Sequence, residues 1–255
     1  MFDVLGMSDN VMVSLEQHDI KPGRQSFGRT LNHIGFQIMK VEVNRKYRVH
    51  LNEDINDLIY KSEYLKSRSV FGVLKLMKGR YVIIPTTREP GEIGPFMLRL
   101  YTGSKSSGKE LTEEGPSKGC LCFKSATLVT TLTVISAEEL ELPTGSKVKS
   151  LDPYVVIRCE GEKIQSESRT NTKNPEWNLR ATFYRKKPME PIVIEVWNDN
   201  VLIDDFLGEG REFEEGSEDG TEKTLELYGR KKEADMIKPG KLKIKIRSSH
   251  DLQYL

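Results

Sequence analysis

Three cysteines and four histidines are the side chains best suited to covalent chemistry, and their setting limits what the chain can do with them. Cys120, Cys122 and Cys159 do not build a disulfide framework, which agrees with a reducing compartment. Cys120-x-Cys122 lacks a second Cys or His pair at zinc spacing, so the two read as linker thiols. A thiolate nucleophile needs a nearby imidazole base and an oxyanion hole, and the loops of this chain offer no such set with His18, His33, His50 or His250. The remaining polar side chains of interest gather in three stretches. These are Ser150-Leu151-Asp152-Pro153-Tyr154, Asn174-Pro175-Glu176-Trp177-Asn178, and Val196-Trp197-Asn198-Asp199-Asn200-Val201-Leu202-Ile203-Asp204-Asp205-Phe206-Leu207-Gly208. Each joins alternating apolar and polar residues to a loop of Asp, Asn or Pro.

The elements that hold these stretches are strands. In the second half, runs near 128–135, 154–159, 163–167, 178–184, 191–197, 207–213, 223–228 and 241–247 give eight of them. The last alternates Leu242, Ile244 and Ile246 with Lys241, Lys243, Lys245 and Arg247, as a half-buried strand does. In the first half Val11, Val13 and Leu15 alternate with Met12, Ser14 and Glu16, and Phe36 and Ile38 with Gln37 and Met39. Tyr47 with Val49, and runs at 70–77, 81–85 and 96–101, continue the pattern, with turn signals at Lys78-Gly79 and Glu89-Pro90-Gly91. Period two with β-branched and aromatic enrichment predicts sheets with one buried face. The 255 residues suit one large or two ordinary domains. Thirty-nine basic against 38 acidic residues, a net charge of +1, speak against a nucleic-acid partner. No apolar run approaches the roughly 20 residues of a membrane span, so the chain is expected to be soluble and cytoplasmic, with peripheral membrane contact at most.

The three stretches, in this order and spacing, resemble the C2 domain, an eight-stranded antiparallel sandwich whose loops at one end bind calcium and lipid. Upstream, Gly79-Arg80-Tyr81-Val82-Ile83-Ile84-Pro85-Thr86-Thr87, the Glu89-Pro90-Gly91 turn and Phe96-Met97-Leu98-Arg99 are similar to the late strands of calpain domain III, as is Asn44-Arg45-Lys46-Tyr47-Arg48. Domain III followed directly by C2 is the arrangement of the atypical calpains. The resemblance implies an all-β protein with two antiparallel β-sandwiches in tandem: a domain III-like sandwich at 1–102, a linker at 103–125 and a C2 domain at 126–250. Calpains are calcium-dependent cysteine endopeptidases whose catalytic Cys, His and Asn lie in a papain-like core N-terminal to domain III. No cysteine here sits in a Gly-x-Cys-Trp setting, so the chain is expected to be non-catalytic: a regulatory and membrane-targeting region, or the tail of an active protease. A plain interaction scaffold is the third expectation.

The resemblance also names a ligand set. In calcium-binding C2 domains one loop supplies an early Asp and the Asp before Pro-Tyr; another supplies Asp-x-Asp after the Trp and a further Asp before Phe-x-Gly. This chain keeps Asp152, Asp204 and Asp205, carries Asn198 and Asn200 where the pair should be, and places the early position within Glu141-Leu142-Pro143-Thr144-Gly145-Ser146. Calcium takes about six to eight oxygens and its affinity rises with carboxylate count, so two amides and the nearby Lys147 and Lys149 predict weak or lost Ca²⁺ binding. Val201, Leu202 and Ile203 form an apolar triplet at the loop tip, a candidate wedge for an anionic phospholipid surface with Lys147 and Lys149 beside it. A second basic set comprises Arg158, Lys163, Arg169, Lys173, Arg185, Lys186 and Lys187. Glu53, Asp54 and Asp57 form a short acidic loop, by resemblance a contact for a calpain protease core.

Overall fold

Alternation in the first hundred residues produces strands that expose one face. The computed structural model describes residues 1–18, 31–49, 57–117, 125–146 and 148–253. By contacts these divide into two units, Met1–Val41 with Arg48–Thr112, and Glu42–Tyr47 with Glu113–Tyr254. In the first unit β1 (Phe2–Gln17), β2 (Ile34–Val41), β3 (Asp57–Lys61), β4 (Ser69–Thr87) and β5 (Phe96–Thr102) form one antiparallel sheet in the order β3-β2-β4-β1-β5. Val11, Val13 and Leu15 of β1 turn inward to meet Phe36 and Ile38 of β2 and Leu76 and Tyr81 of β4, all buried. Full burial of an aliphatic or aromatic side chain is worth about 1.5–3 kcal/mol, so this cluster is what holds the sheet.

Two expectations fail here. The runs at 70–77 and 81–85 are one strand: β4 passes through Lys78-Gly79 without turning, because Gly79 and Arg80 pair with Val4 and Asp3 at the start of β1. Tyr47 and Val49 lie outside any strand: Tyr47 ends the segment Glu42–Tyr47 that serves the second unit, and Val49 falls just beyond it, back in the first.

The second unit contains β6 (Leu128–Glu138), β7 (Pro153–Cys159), β8 (Glu162–Gln165), β9 (Glu176–Arg185), β10 (Ile192–Asn198), β11 (Asp205–Glu212), β12 (Thr221–Tyr228) and β13 (Ile237–Ser249), ordered β8-β7-β10-β11-β12-β13-β6-β9. All neighbours are antiparallel, and β11 meets β12 through the single pair Glu209 and Tyr228. That hinge lets the ladder fold into two four-stranded halves. Leu132 and Val134 of β6, Phe183 of β9 and Leu242, Ile244 and Ile246 of β13 face Val155 and Ile157 of β7 and Ile194 and Val196 of β10 in the core between them. Trp177 is buried there, and its Nε1 donates to the Pro153 carbonyl at 3.2 Å. The edge strand β9 is covered by Glu42–Tyr47. Asn44 exchanges two hydrogen bonds with the Thr182 backbone, Nδ2 to O at 2.7 Å and N to Oδ1 at 2.9 Å, and Tyr47 meets Tyr184 edge-on at 4.8 Å. A side-chain amide here imitates the next strand.

Candidate functional site

Strand register assembles one end of the second unit. Asn198, the last residue of β10, lies opposite Pro153 at the start of β7 and opposite Asp205 at the start of β11. Neighbouring strands run about 4.8 Å apart, so the residue before Pro153, the end of β10 and the start of β11 must share one edge. Asp152, Asn198 and Asp205 thus come together for purely topological reasons.

Hydrogen bonds then bind the loops. Asn198 is fully buried: its Oδ1 accepts the Asp152 amide at 2.5 Å, and its Nδ2 donates to Asn200 Oδ1 at 2.7 Å and to the Ser150 carbonyl at 3.3 Å. Asn200 Nδ2 donates to the Ile203 carbonyl at 2.9 Å and to Asp205 Oδ2 at 3.1 Å, and its backbone N–H to Asp204 Oδ1 at 2.9 Å. Ser146 Oγ donates to Asp205 Oδ2 at 2.8 Å, Ser150 Oγ to Asp152 Oδ2 at 2.8 Å, and the Asn171 amide to Asp152 Oδ1 at 2.7 Å. Tyr154 donates to Asp204 Oδ2 at 2.7 Å, and burial together with this bond holds its phenol well above the usual tyrosine pKa. Of the sequence-predicted set, Asp152, Asn198, Asn200, Asp204 and Asp205 therefore form one connected network. Ser146, Ser150, Tyr154 and Asn171 complete it and were not singled out; Ser146 lies in the stretch that holds the early loop position, and Tyr154 in the Asp-Pro-Tyr run.

Calcium is the ion this fold implies, and the donor set does not suit it. Both oxygens of Asp152 and of Asp204, and Oδ2 of Asp205, already accept protein hydrogen bonds, while the two Asn oxygens accept from Asp152 N–H and Asn198 Nδ2. Among the described residues no group of three or more His, Cys, Asp and Glu side chains is arranged to hold a metal ion.

Beyond this network the loop points outward. Val201, Leu202 and Ile203 are 100%, 93% and 83% exposed, and Lys149 is exposed on the loop that Ser146 ties to Asp205. Lys147 lies outside the described residues, as do Glu53 and Asp54; Asp57 is exposed at the start of β3. Cys120 and Cys122 are also outside them.

The second basic set is not a single exposed face. Arg185 is 1% exposed, its guanidinium donating to the Pro188 carbonyl at 2.7 Å and also to that of Glu190. Arg158 is paired with Glu195 at 2.9 Å, and Arg169 Nε donates to the Glu176 carbonyl at 2.6 Å. Side-chain and backbone acceptors close at hand turn these charges to structural use. Next to the site Trp197 and Phe206 meet edge-on at 5.2 Å, and the Arg230 guanidinium lies over both rings, 4.8 and 4.6 Å from their centroids.

Two all-β modules, the second with its Asp- and Asn-bearing loops gathered at one end, define the class, and comparison with known proteins agrees. Residues 5–101 match the family model for calpain large subunit domain III, and residues 129–219 that for the C2 domain. The chain thus matches calpain domain III and the C2 domain, in that order along its length. It is 40% identical to mouse calpain-5 over 212 residues and 33% identical to Caenorhabditis elegans calpain-5 over 208, which cover 82% and 81% of this chain and 32% and 31% of those proteins. The chain thus spans about a third of the length of these relatives. Among solved structures it is similar to a C2 domain of plant Extended Synaptotagmin 1, with a TM-score of 0.42, 20% identity, and 50% and 97% of the respective chains covered.

Proposed function

We propose that this chain is a non-catalytic regulatory and membrane-targeting region of a calpain-like cysteine protease, with the C2 module docking on anionic phospholipid. One observation carries the proposal: three consecutive aliphatic residues, Val201, Leu202 and Ile203, stand almost wholly in solvent above a hydrogen-bonded loop base. An apolar patch kept exposed on a fixed base marks an interaction surface, and aliphatic side chains entering the headgroup boundary recover about 25 cal/mol for each Å² they bury. Lys149 on the adjoining loop adds attraction to an anionic surface. Calcium dependence is weak or absent in this proposal.

Co-sedimentation with vesicles of phosphatidylserine and phosphatidylcholine tests it. The protein is expected to pellet with them and less with phosphatidylcholine alone, and Leu202→Ser with Ile203→Ser to weaken binding by about tenfold or more, since each lost aliphatic contact is worth roughly 1 kcal/mol. Equal binding by the variant sinks the wedge, and no binding to either vesicle leaves the scaffold role. The share of calpain-5 that the chain spans favours a companion reading: any endopeptidase activity belongs to a papain-like core encoded elsewhere in a longer protein, with Asp57 and the acidic loop as its first contacts. Sequencing the transcript upstream of Met1 tests that; stop codons in frame directly before it would eliminate a core on the same polypeptide.

A further inference from the structure

We propose that Asn198 and Asn200 do with amide N–H groups what a bound divalent cation would do at this loop end, so that the docking loops are set in their final arrangement without a metal. The inference concerns the regulation of the docking end proposed above and rests on that proposal only for its consequence at membranes.

The geometry points to the amide nitrogen as the decisive atom. Loop ends that gather acceptors repel one another unless something positive lies between them. Here the acceptors are the carboxylates of Asp152, Asp204 and Asp205, the carbonyls of Ser150 and Ile203, and Asn200 Oδ1, and they come from both sides of β10. Asn198 Nδ2 lies between the Ser150 carbonyl on one loop and Asn200 Oδ1 on the next; Asn200 Nδ2 lies between the Ile203 carbonyl and Asp205. Four N–H···O contacts therefore draw together the Ser150 and Ile203 carbonyls, Asn200 Oδ1 and Asp205 Oδ2, as a cation placed among these oxygens would. Asn198 Oδ1 takes the Asp152 N–H, so the amide can point only one way: reversal would set nitrogen against N–H and oxygen against two oxygens.

Substitution by aspartate makes the case testable. Asp at 198 would put an oxygen where Nδ2 now donates, facing the Ser150 carbonyl and Asn200 Oδ1 in a fully buried place. Asp at 200 would do the same against the Ile203 carbonyl and Asp205 Oδ2. Without a cation both changes add unpaired negative charge, fully buried at 198 and partly buried at 200. With calcium the same oxygens become ligands.

Thermal unfolding of the full chain, once in excess calcium chloride and once in EGTA, reads this directly. The unchanged protein is expected to unfold at the same temperature in both. N198D with N200D is expected to unfold about 5–10 °C lower in EGTA and to regain most of that loss in calcium. N200D alone, at a partly exposed position, should show a smaller version of the same pattern and decides the matter if the double variant does not fold. A calcium-dependent rise in the unchanged protein overturns the proposal, as does N200D unfolding at the unchanged protein's temperature in EGTA. A loss that calcium fails to restore overturns the equivalence of amide and ion. None of these outcomes depends on lipid, so failure to bind vesicles would strike the docking role and leave this result standing.

Discussion

Arg230 is exposed, yet its guanidinium lies over two rings that belong to the strands bounding the loop site. Exposed cation–π contacts are worth about 0.5–1 kcal/mol, so Arg230→Ala should lower the stability of this unit by about 1 kcal/mol in denaturant titrations followed by tryptophan fluorescence, and Arg230→Lys by less. Cys159 makes a different prediction. It is 3% exposed at the end of β7, and burial pushes its thiol up from 9.0 to about 11. The folded state therefore keeps the proton that the unfolded chain releases first. Stability from this group is complete below pH 9 and lost as pH rises toward 11. Cys159→Ala should be less stable than the unchanged protein near neutral pH and close that gap between pH 9 and 11, measured by denaturant midpoints across the range. A gap constant with pH would show that the thiol is not held neutral.

At the scale of elements the same physics explains which features the sequence revealed. Leu242, Ile244 and Ile246 turn inward on β13 because alternation is a local property, legible without knowing any partner. The loop site was legible through Asp152-Pro153-Tyr154 and the run from Asn198 to Asp205, since a strand start and a strand end in antiparallel register must meet. What stayed hidden depends on contacts far along the chain. Gly79 has the local signature of a turn, but the start of β1 pairs beside it, and Arg185 has that of surface charge, but the Pro188 and Glu190 carbonyls accept its guanidinium. Asn44 is the sharpest instance, an amide 138 residues from the backbone it bonds. It stands where an added strand would pair with β9, and Thr182 behind it is buried. Asn44→Ala should strand a buried N–H and C=O together and cost roughly 1–3 kcal/mol. Asn44→Asp keeps the acceptor for the Thr182 amide but opposes oxygen to its carbonyl. It should therefore cost at least as much, and chemical denaturation of the two variants side by side checks the order.

For the whole molecule the consequence lies in where one unit begins. The sequence puts the start of the C2 domain at 126 and the family match begins at 129, yet the second unit runs from Glu113 and also owns Glu42–Tyr47. That short segment brings Asn44 to Thr182, the Val43 amide to the Arg180 carbonyl at 3.3 Å, Tyr47 to Tyr184, and an ion pair between Glu42 and Arg45 at 3.4 Å, both nearly buried. Removing it uncovers the edge of β9, and uncovered edges seek other strands. A fragment beginning at Glu113 should thus lose about 1–3 kcal/mol against the same unit in the full chain, from the two Thr182 hydrogen bonds alone, and should associate at high concentration. Both tryptophans of the chain, Trp177 and Trp197, lie in this unit, so fluorescence follows its unfolding while the first unit stays silent. Adding a synthetic peptide of residues 41–48 should raise the fragment's denaturation midpoint, and a peptide with Ala in place of Asn44 should raise it less. Equal midpoints for fragment and full chain would mean that the β9 edge needs no cover, and that the sequence boundary of the C2 module is also its energetic one.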